Sequence, residues 1–248
     1  MKKVLGQYFT KNYEKILSGI NIPDNITKIV EPFAGEGDLV DYIKCDDRNF
    51  DIDMYDIEPK KPYIKKRDTL LNPLNYNDTY VITNPPYLAR NKSINKEIYD
   101  KYELNDLYKC FIETLIISPC IGGIVIVPLN FICSLRESDI MLRRRFLTIY
   151  SIEHMNIFEE QVFEDTKYIV CSFQYVNRKN IRKVNVSINI IEDNKVKLEI
   201  FFNNKININI YPINVKLKYE LNENNNYAIG GEIYNLSKSK KYKIERIT

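Results

Sequence analysis

Along the first two thirds of the chain, short apolar runs alternate with stretches of helical period. Residues 27–30, 51–55, 63–66 and 79–83 are rich in β-branched or aromatic side chains and predict strands. The last of these stops at Asn84-Pro85-Pro86, where prolines cannot donate to a sheet ladder. Residues 38–44 predict a helix that opens on Asp38, an acid suited to the positive end of the helix dipole. Leu107, Cys110, Phe111, Thr114 and Leu115 recur with helical period across 106–117, and 123–129 is a continuous apolar run typical of a buried parallel strand. A helix over 137–147 and strands over 149–157 and 168–175 complete the alternation. Such a pattern predicts an α/β sheet with ligands at the carboxyl ends of its strands.

Beyond Val176 the period falls to two. Val184, Val186, Ile188 and Ile190, then Val196, Leu198, Ile200 and Phe202, then Ile206, Ile208 and Ile210 alternate with polar residues. This predicts an antiparallel meander, a separate small β region, and places a boundary near Asn177: residues 1–177 and 178–248. Over the whole chain the net charge of +3 points to no partner, but it divides unevenly. Residues 1–177 hold 22 basic and 26 acidic side chains, whereas 178–248 hold 14 and 7. The length of 248 residues suits one catalytic domain with a smaller appendage, and the appendage is short for a complete recognition domain. No apolar run reaches the roughly 18 to 20 residues of a membrane span, and the N-terminus runs straight into polar sequence; an intracellular chain with no membrane partner is expected. Five cysteines without a CxxC pair suggest neither disulfides nor zinc, and the single histidine, His154, is expected to be structural. No metal is expected.

Asn84-Pro85-Pro86-Tyr87 follows the fourth predicted strand directly. The Asn84 amide oxygen and the Pro85 carbonyl are two acceptors for a planar amino group, the prolines hold them rigidly, and the Tyr87 ring offers a face for stacking. Two acceptors on one NH2 draw its nitrogen toward tetrahedral geometry and free the lone pair, which suits alkylation of an exocyclic amine. A stacking role predicts that Tyr87→Phe is much milder than Tyr87→Ala. The turn Glu31-Pro32-Phe33-Ala34-Gly35-Glu36-Gly37-Asp38 holds a GxG but lacks the third glycine of the dinucleotide fingerprint, that position being Val40. Its acids would repel a pyrophosphate and suit a cofactor bearing a sulfonium and an ammonium group. Asp56, 21 residues past Gly35, is placed to accept from ribose hydroxyls, and Asp68 from an adenine amino group.

Together these residues resemble the S-adenosylmethionine-dependent adenine-specific DNA methyltransferases of restriction-modification type, the class whose cofactor motifs precede the catalytic motif. The resemblance covers most of residues 5–176 and implies a Rossmann-like, seven-stranded sheet with a small C-terminal β-rich target-recognition region. Gly6-Gln7-Tyr8-Phe9-Thr10 looks like the family's N-terminal cofactor motif, so Gln7, Tyr8, Phe9 and Thr10 are implied to contact the methionine part. Glu31, Phe33, Ala34, Gly35 and Gly37 look like its glycine-containing loop, Asp56-Ile57 its ribose-binding strand end, and Asp68 its adenine-binding acid. Asn84, Pro85, Pro86 and Tyr87 are similar to the catalytic tetrapeptide. Phe111 lies in a helix whose Phe packs on the cofactor adenine, and Phe163 falls where a second aromatic stacks on the extruded base. The implied reaction moves a methyl group from S-adenosylmethionine, leaving S-adenosylhomocysteine, to the N6 amino group of an adenine flipped out of duplex DNA. The implied partners are duplex DNA and a cognate restriction endonuclease.

Arg143, Arg144 and Arg145, and Lys238, Lys240, Lys241 and Lys243, are candidate phosphate contacts. Three other readings share the fold. Ribosomal RNA adenine dimethyltransferases usually carry Leu where this chain has Pro85, and their C-terminal domain is helical. Glutamine methyltransferases of release factors share the tetrapeptide but place a helical domain before the cofactor loop, where only 30 residues stand here. A non-catalytic relative is disfavoured by the intact Asn84, Pro85, Tyr87 and Asp68.

Overall fold

The β-branched pair Ile29 and Val30 lies in the first strand, β1 (Lys28–Glu31), which ends at Pro32. In the computed structural model, residues 13–134, 136–158, 170–180, 186–192, 195–202, 208–210, 217–221 and 227–229 are described. They fall in two compact units that divide in sequence between Val127 and Pro128.

In the first unit, a single helical turn, α1 (Tyr13–Ile16), precedes β1, and α2 (Asp38–Lys44) follows it over the residues predicted. Next come β2 (Asp51–Asp56), the two-residue β3 (Lys65–Lys66) and β4 (Tyr80–Thr83). Two helices, α3 (Glu97–Tyr102) and α4 (Leu107–Ile117), lead to β5 (Gly122–Pro128). All strand pairings here are parallel, in the order β3-β2-β1-β4-β5. Every residue of β4 and β5 is buried, as a strand covered on both faces requires. Register sets the site: Val30 lies opposite Asp53 on one side and Val81 on the other. The residues just past β1, β2 and β4 therefore emerge at one edge of the sheet. Phe111 of α4, fully buried, anchors the layer below through edge contacts with Phe33 (5.2 Å) and Tyr76 (6.4 Å).

The second unit holds α5 (Asn130–Cys133), α6 (Glu137–Ile149) and the antiparallel pair β6 (Tyr150–Phe158) and β7 (Val170–Asn177). Its core is aromatic: Phe131 stacks on Phe173 at 5.7 Å, and Phe146, Tyr150 and Tyr175 meet at 4.8 to 5.3 Å. His154 pairs with Asn156 Oδ1 at 3.0 Å along β6. The seven strands predicted up to residue 175 are all present. The period-two segments also form strands, β8 (Val186–Glu192) and β9 (Lys195–Phe202) as a hairpin, and β10 (Ile208–Ile210), β11 (Leu217–Leu221) and β12 (Tyr227–Ile229) as an antiparallel sheet. One expectation is corrected: β8 pairs in parallel with β6, so this hairpin is continuous with the strands before Asn177 rather than set apart as a pure antiparallel meander. A period of two marks a strand but carries no information about its partner or direction.

Arg143 is also corrected. It is buried in α6 at 4% exposure, and its Nη1 donates to the carbonyls of Phe131 (3.0 Å) and Ser134 (3.3 Å). It holds the end of α5 to α6 and is not open to a phosphate, whereas Arg144 and Arg145 are exposed. Arg143→Ala is expected to lower unfolding free energy by about 2 to 3 kcal/mol, because two charge-assisted bonds are lost and two carbonyls are left in an apolar setting. Arg144→Ala should change it by less than about 0.5 kcal/mol, the usual range for an exposed site. Urea unfolding of both variants checks the contrast.

Candidate active site

Just past β1 the backbone makes a tight turn, which Gly35 and Gly37 permit by adopting positive φ angles of 54° and 84°. The turn is tied to β2. Ala34 N–H donates to the Tyr55 carbonyl (2.8 Å), and Gly35 N–H donates to Asp56 Oδ2 (2.8 Å). The other oxygen of Asp56 accepts from Glu58 N–H at 2.8 Å, and the Asp56 carbonyl accepts from Arg67 N–H. Further along, Asp68 Oδ1 accepts from the N–H groups of Leu70 (3.0 Å) and Leu71 (2.9 Å), and Thr69 Oγ donates to the Pro32 carbonyl (3.0 Å). Three strand ends are thereby bonded into one rim.

This rim surrounds a cavity of about 300 Å³, at the lower end of the range for small-molecule sites. Glu31, Asp38, Asp56 and Asp68 supply its acids; Phe33, Ile57, Leu70 and Leu107 supply apolar wall; Asn84 and Pro86 stand at its border. Glu31 is 1% exposed and its Oε2 is buried with no hydrogen-bond partner. Burial, reinforced by the Asp38 and Asp56 carboxylates, pushes the Glu31 carboxyl well above its ordinary range. A buried acid with an unanswered oxygen, beside two more acids, is a place made for a cation.

Past β4, Asn84 is 9% exposed and Pro85 is buried. The Tyr87 hydroxyl lies 2.5 Å from Asn84 Oδ1 and 2.8 Å from the Ile126 carbonyl. With a single proton it donates to one of these acceptors at a time. Tyr87 is 2% exposed and its ring meets Tyr108 edge-on at 6.2 Å. The expectation of an open ring for stacking is therefore corrected: the ring is packed inside, and what it presents to the site is its hydroxyl, through Asn84. The segment after Tyr87 is bound to the start of α4 by an isolated bridge between Ala89 and Asp106 and by Leu107 N–H donating to the Leu88 carbonyl. Burial raises the Asp106 carboxyl to about 6, against the lowering pull of Lys109 and of the N–H groups of Tyr108, Leu88 and Leu107.

Of the candidates read from the sequence, Glu31, Phe33, Ala34, Gly35, Asp56, Ile57, Asp68, Asn84 and Pro86 meet on this cavity. Gly37, Pro85, Tyr87 and Phe111 do not line it. Gly37 serves the turn, with its N–H on the Ala34 carbonyl at 2.7 Å, and Phe111 lies one layer deeper, beneath Phe33. Gln7, Tyr8, Phe9, Thr10, Phe163, Lys238, Lys240, Lys241 and Lys243 lie outside the described residues. Sequence reasoning missed Leu70, Leu71, Leu88, Ile98, Tyr99 and Leu107 on the wall. Ile94 and Ile98, four apart before Tyr99, carried a faint helical signal for α3, but the helix is too short for periodicity to reveal it.

No protein-family profile matches the chain, and no curated protein matches it in sequence. Solved structures do match in fold. A chain assigned as the modification subunit of a type I restriction enzyme from Vibrio vulnificus YJ016 aligns with a TM-score of 0.57 at 12% identity, over 77% of this chain and 49% of that one. The M protein of the type I restriction enzyme EcoKI aligns at 0.53 and 15%, over 74% and 48%. A chain assigned as a class I S-adenosylmethionine-dependent methyltransferase from Listeria monocytogenes aligns at 0.50 and 17%, over 72% and 61%. At such identities the likeness is one of fold: this chain has the α/β fold of the class I S-adenosylmethionine-dependent methyltransferases. It spans about half the length of the restriction-enzyme subunits it matches. Among the described residues, no helix is long and apolar enough to cross a membrane.

The raised Glu31 carboxyl has a consequence for binding. Before binding, Glu31 holds its proton to higher pH than an ordinary carboxyl, and a cationic ligand requires the ionised form. A cation bound there would therefore release a proton, and its affinity should rise with pH as Glu31 ionises. Glu31→Gln should weaken binding and remove that slope. Calorimetric titration at a series of pH values measures both; a wild-type affinity that falls as pH rises, beyond what the ligand's own amine accounts for, would contradict the role given to Glu31.

Proposed function

We propose that the chain transfers a methyl group from S-adenosylmethionine to the exocyclic N6 amino group of an adenine extruded from duplex DNA. The observation that carries this reading is the position of Asn84, directly past β4 and on the wall of the cavity that also holds Glu31, Asp56 and Asp68. A carboxamide oxygen there is a neutral acceptor suited to an amino group on a planar ring. Two fold neighbours, the Vibrio vulnificus modification subunit and the EcoKI M protein, belong to type I restriction enzymes, which supports DNA as the substrate and a cognate restriction endonuclease as a partner.

When bound, S-adenosylmethionine supplies an electrophilic methyl group on a sulfonium. Glu31 would hold its positive end, Asp56 would accept from ribose hydroxyls, and Phe33, Ile57 and Asp68 would take the adenine. Gln7, Tyr8, Phe9 and Thr10 are assigned the methionine part, as the family resemblance implies. Asn84 Oδ1 and the Pro85 carbonyl would fix the amino hydrogens and turn the nitrogen lone pair toward the methyl. Holding the two reactants in line accounts for most of the acceleration, an effect worth about 7 to 11 kcal/mol where orientation is complete. Tyr87 positions Asn84 through its hydroxyl, and Phe163 is the proposed stacking partner of the base. Residues 178–248, with Lys238, Lys240, Lys241 and Lys243, are the proposed target-recognition region, joined by Arg144 and Arg145.

Asn84→Ala should reduce methyl incorporation into duplex DNA to background while cofactor affinity stays within about twofold, since the amide meets the amino group and not the cofactor's charge. Tyr87→Phe should also be costly, lowering kcat roughly 10- to 100-fold, the effect of removing one buried hydrogen bond of about 1 to 3 kcal/mol. Labelled methyl transfer to duplex DNA, with ribosomal RNA and release factor as parallel substrates, tests the substrate class. Single-base methylation sequencing of DNA from expressing cells then maps the site. Methyl transfer to RNA or protein alone would overturn the reading, and near-normal turnover of Tyr87→Phe would remove the hydroxyl's positioning role.

A further inference from the structure

The segment between Tyr87 and α3 has the sequence Leu88-Ala89-Arg90-Asn91-Lys92-Ser93-Ile94-Asn95-Lys96. It is braced at every step. A short 3-10 turn covers Arg90–Lys92, and Lys92 N–H donates to the Ala89 carbonyl at 2.9 Å. The Lys96 ammonium donates to the carbonyls of both Arg90 and Ser93, drawing the two ends of the loop together. Ser93 Oγ donates to the Asn95 carbonyl (2.7 Å), and Asn95 Oδ1 accepts from Glu97 N–H (2.8 Å), which joins the loop to the start of α3. The Arg90 guanidinium pairs with Asp100 at 2.5 Å, on the same helix.

At the tip of this braced loop stands Ile94, 93% exposed. Among the described residues the next most exposed large apolar side chain, Ile117, is at 66%. An isoleucine in water forgoes the free energy of burial, and a flexible loop would fold it back. Here the bonds of Lys96, Ser93 and Asn95 hold it out. Its position is also specific, because Ser93, Ile94, Asn95 and Ile98 border the same cavity as Asn84. Lys92 beside it is exposed, a cation next to an apolar tip.

We infer that Ile94 is a wedge: on DNA its side chain enters the base stack at the step from which the target adenine is extruded, while Lys92 meets the adjacent phosphate. This deepens the function proposed above and rests on it. Extruding a base costs a few kcal/mol and leaves a gap in the stack. Proteins that kink or open duplexes commonly fill such gaps with Ile, Leu, Met or Phe. A wedge must be apolar, must project, must resist being pushed back, and must lie beside the pocket that receives the base. Ile94 meets the first three, and for the fourth it borders the cavity on whose wall Asn84, the proposed acceptor for the base's amino group, also stands.

The test uses the full chain and a duplex carrying the sequence mapped by methylation sequencing, with the target adenine paired to thymine in one substrate and placed opposite an abasic site in the other. The second substrate lowers the cost of extrusion. Ile94→Ala should reduce kcat/KM roughly tenfold or more on the paired duplex, and by no more than about threefold opposite the abasic site, because the wedge offsets the extrusion cost alone. Ile94→Leu should restore activity on the paired duplex. In a duplex with 2-aminopurine at the target position, Ile94→Ala should also lose most of the fluorescence rise that reports an unstacked base. Equal losses on both substrates, no loss on either, or a weakened S-adenosylmethionine affinity would each overturn the wedge, the last by making Ile94 a lid over the cofactor. Failure of the wild-type chain to methylate either duplex would instead overturn the function on which the inference rests.

Discussion

The Asp56 carboxylate, 3% exposed, receives Gly35 N–H on one oxygen and Glu58 N–H on the other, and on this pair of bonds the geometry of the site depends. A parallel sheet brings its strand ends to one edge but leaves the loops beyond them free to diverge. Asp56 removes that freedom by fastening the β1 turn to the end of β2, while its own carbonyl receives Arg67 N–H from the end of β3. The register of β1 against β2 and β4 then places Glu31 and Asn84 within reach of one cavity. A glycine is needed at position 35 because the turn takes a positive φ at the cavity wall.

The same arrangement concentrates like charge. Asp38 and Asp56 act on Glu31 in the same direction as its burial, so its ionised form is unfavourable there and a cation would relieve it. Clusters of this kind are found where stability has been exchanged for function. They also give meaning to the uneven charge along the chain. The acids up to Asn177 include those that surround the cavity, and the excess of basic residues lies beyond it, where a polyanion is the expected partner.

What could be read from the sequence was whatever is encoded locally. β1, β2 and β4 fall within a residue of their expected bounds because β-branched runs end at prolines or acids, and α2 matches because the Gly37 turn starts it sharply. The cavity's acids were legible from their places: Glu31 and Asp56 close strands, Asp68 follows one, and Asp38 opens a helix. What escaped depends on neighbours distant in sequence. Tyr87 looks like an available ring until Ile126, 39 residues on, claims its hydroxyl. Arg143 looks like one of three exposed cations until the carbonyls of Phe131 and Ser134 draw it inward. The wall formed by Ile98 and Tyr99 belongs to a six-residue helix, shorter than two turns, whose pattern cannot be told from chance.

Tyr87 also joins the loop after β4 to the core. Its hydroxyl has one proton and two acceptors, Asn84 Oδ1 at 2.5 Å and the Ile126 carbonyl at 2.8 Å. While it donates to Asn84, the amide oxygen is held in place with part of its acceptor capacity in use. Were the proposed amino group to take that oxygen, the proton would have a second acceptor within range on β5, the Ile126 carbonyl, so no buried donor would be left unsatisfied. On the function proposed above, the amide would be held in position before the base arrives and made available when it does. On that reading, a tyrosine bonded only to Asn84 would compete with the substrate, and one bonded only to Ile126 would give the amide no support from this hydroxyl.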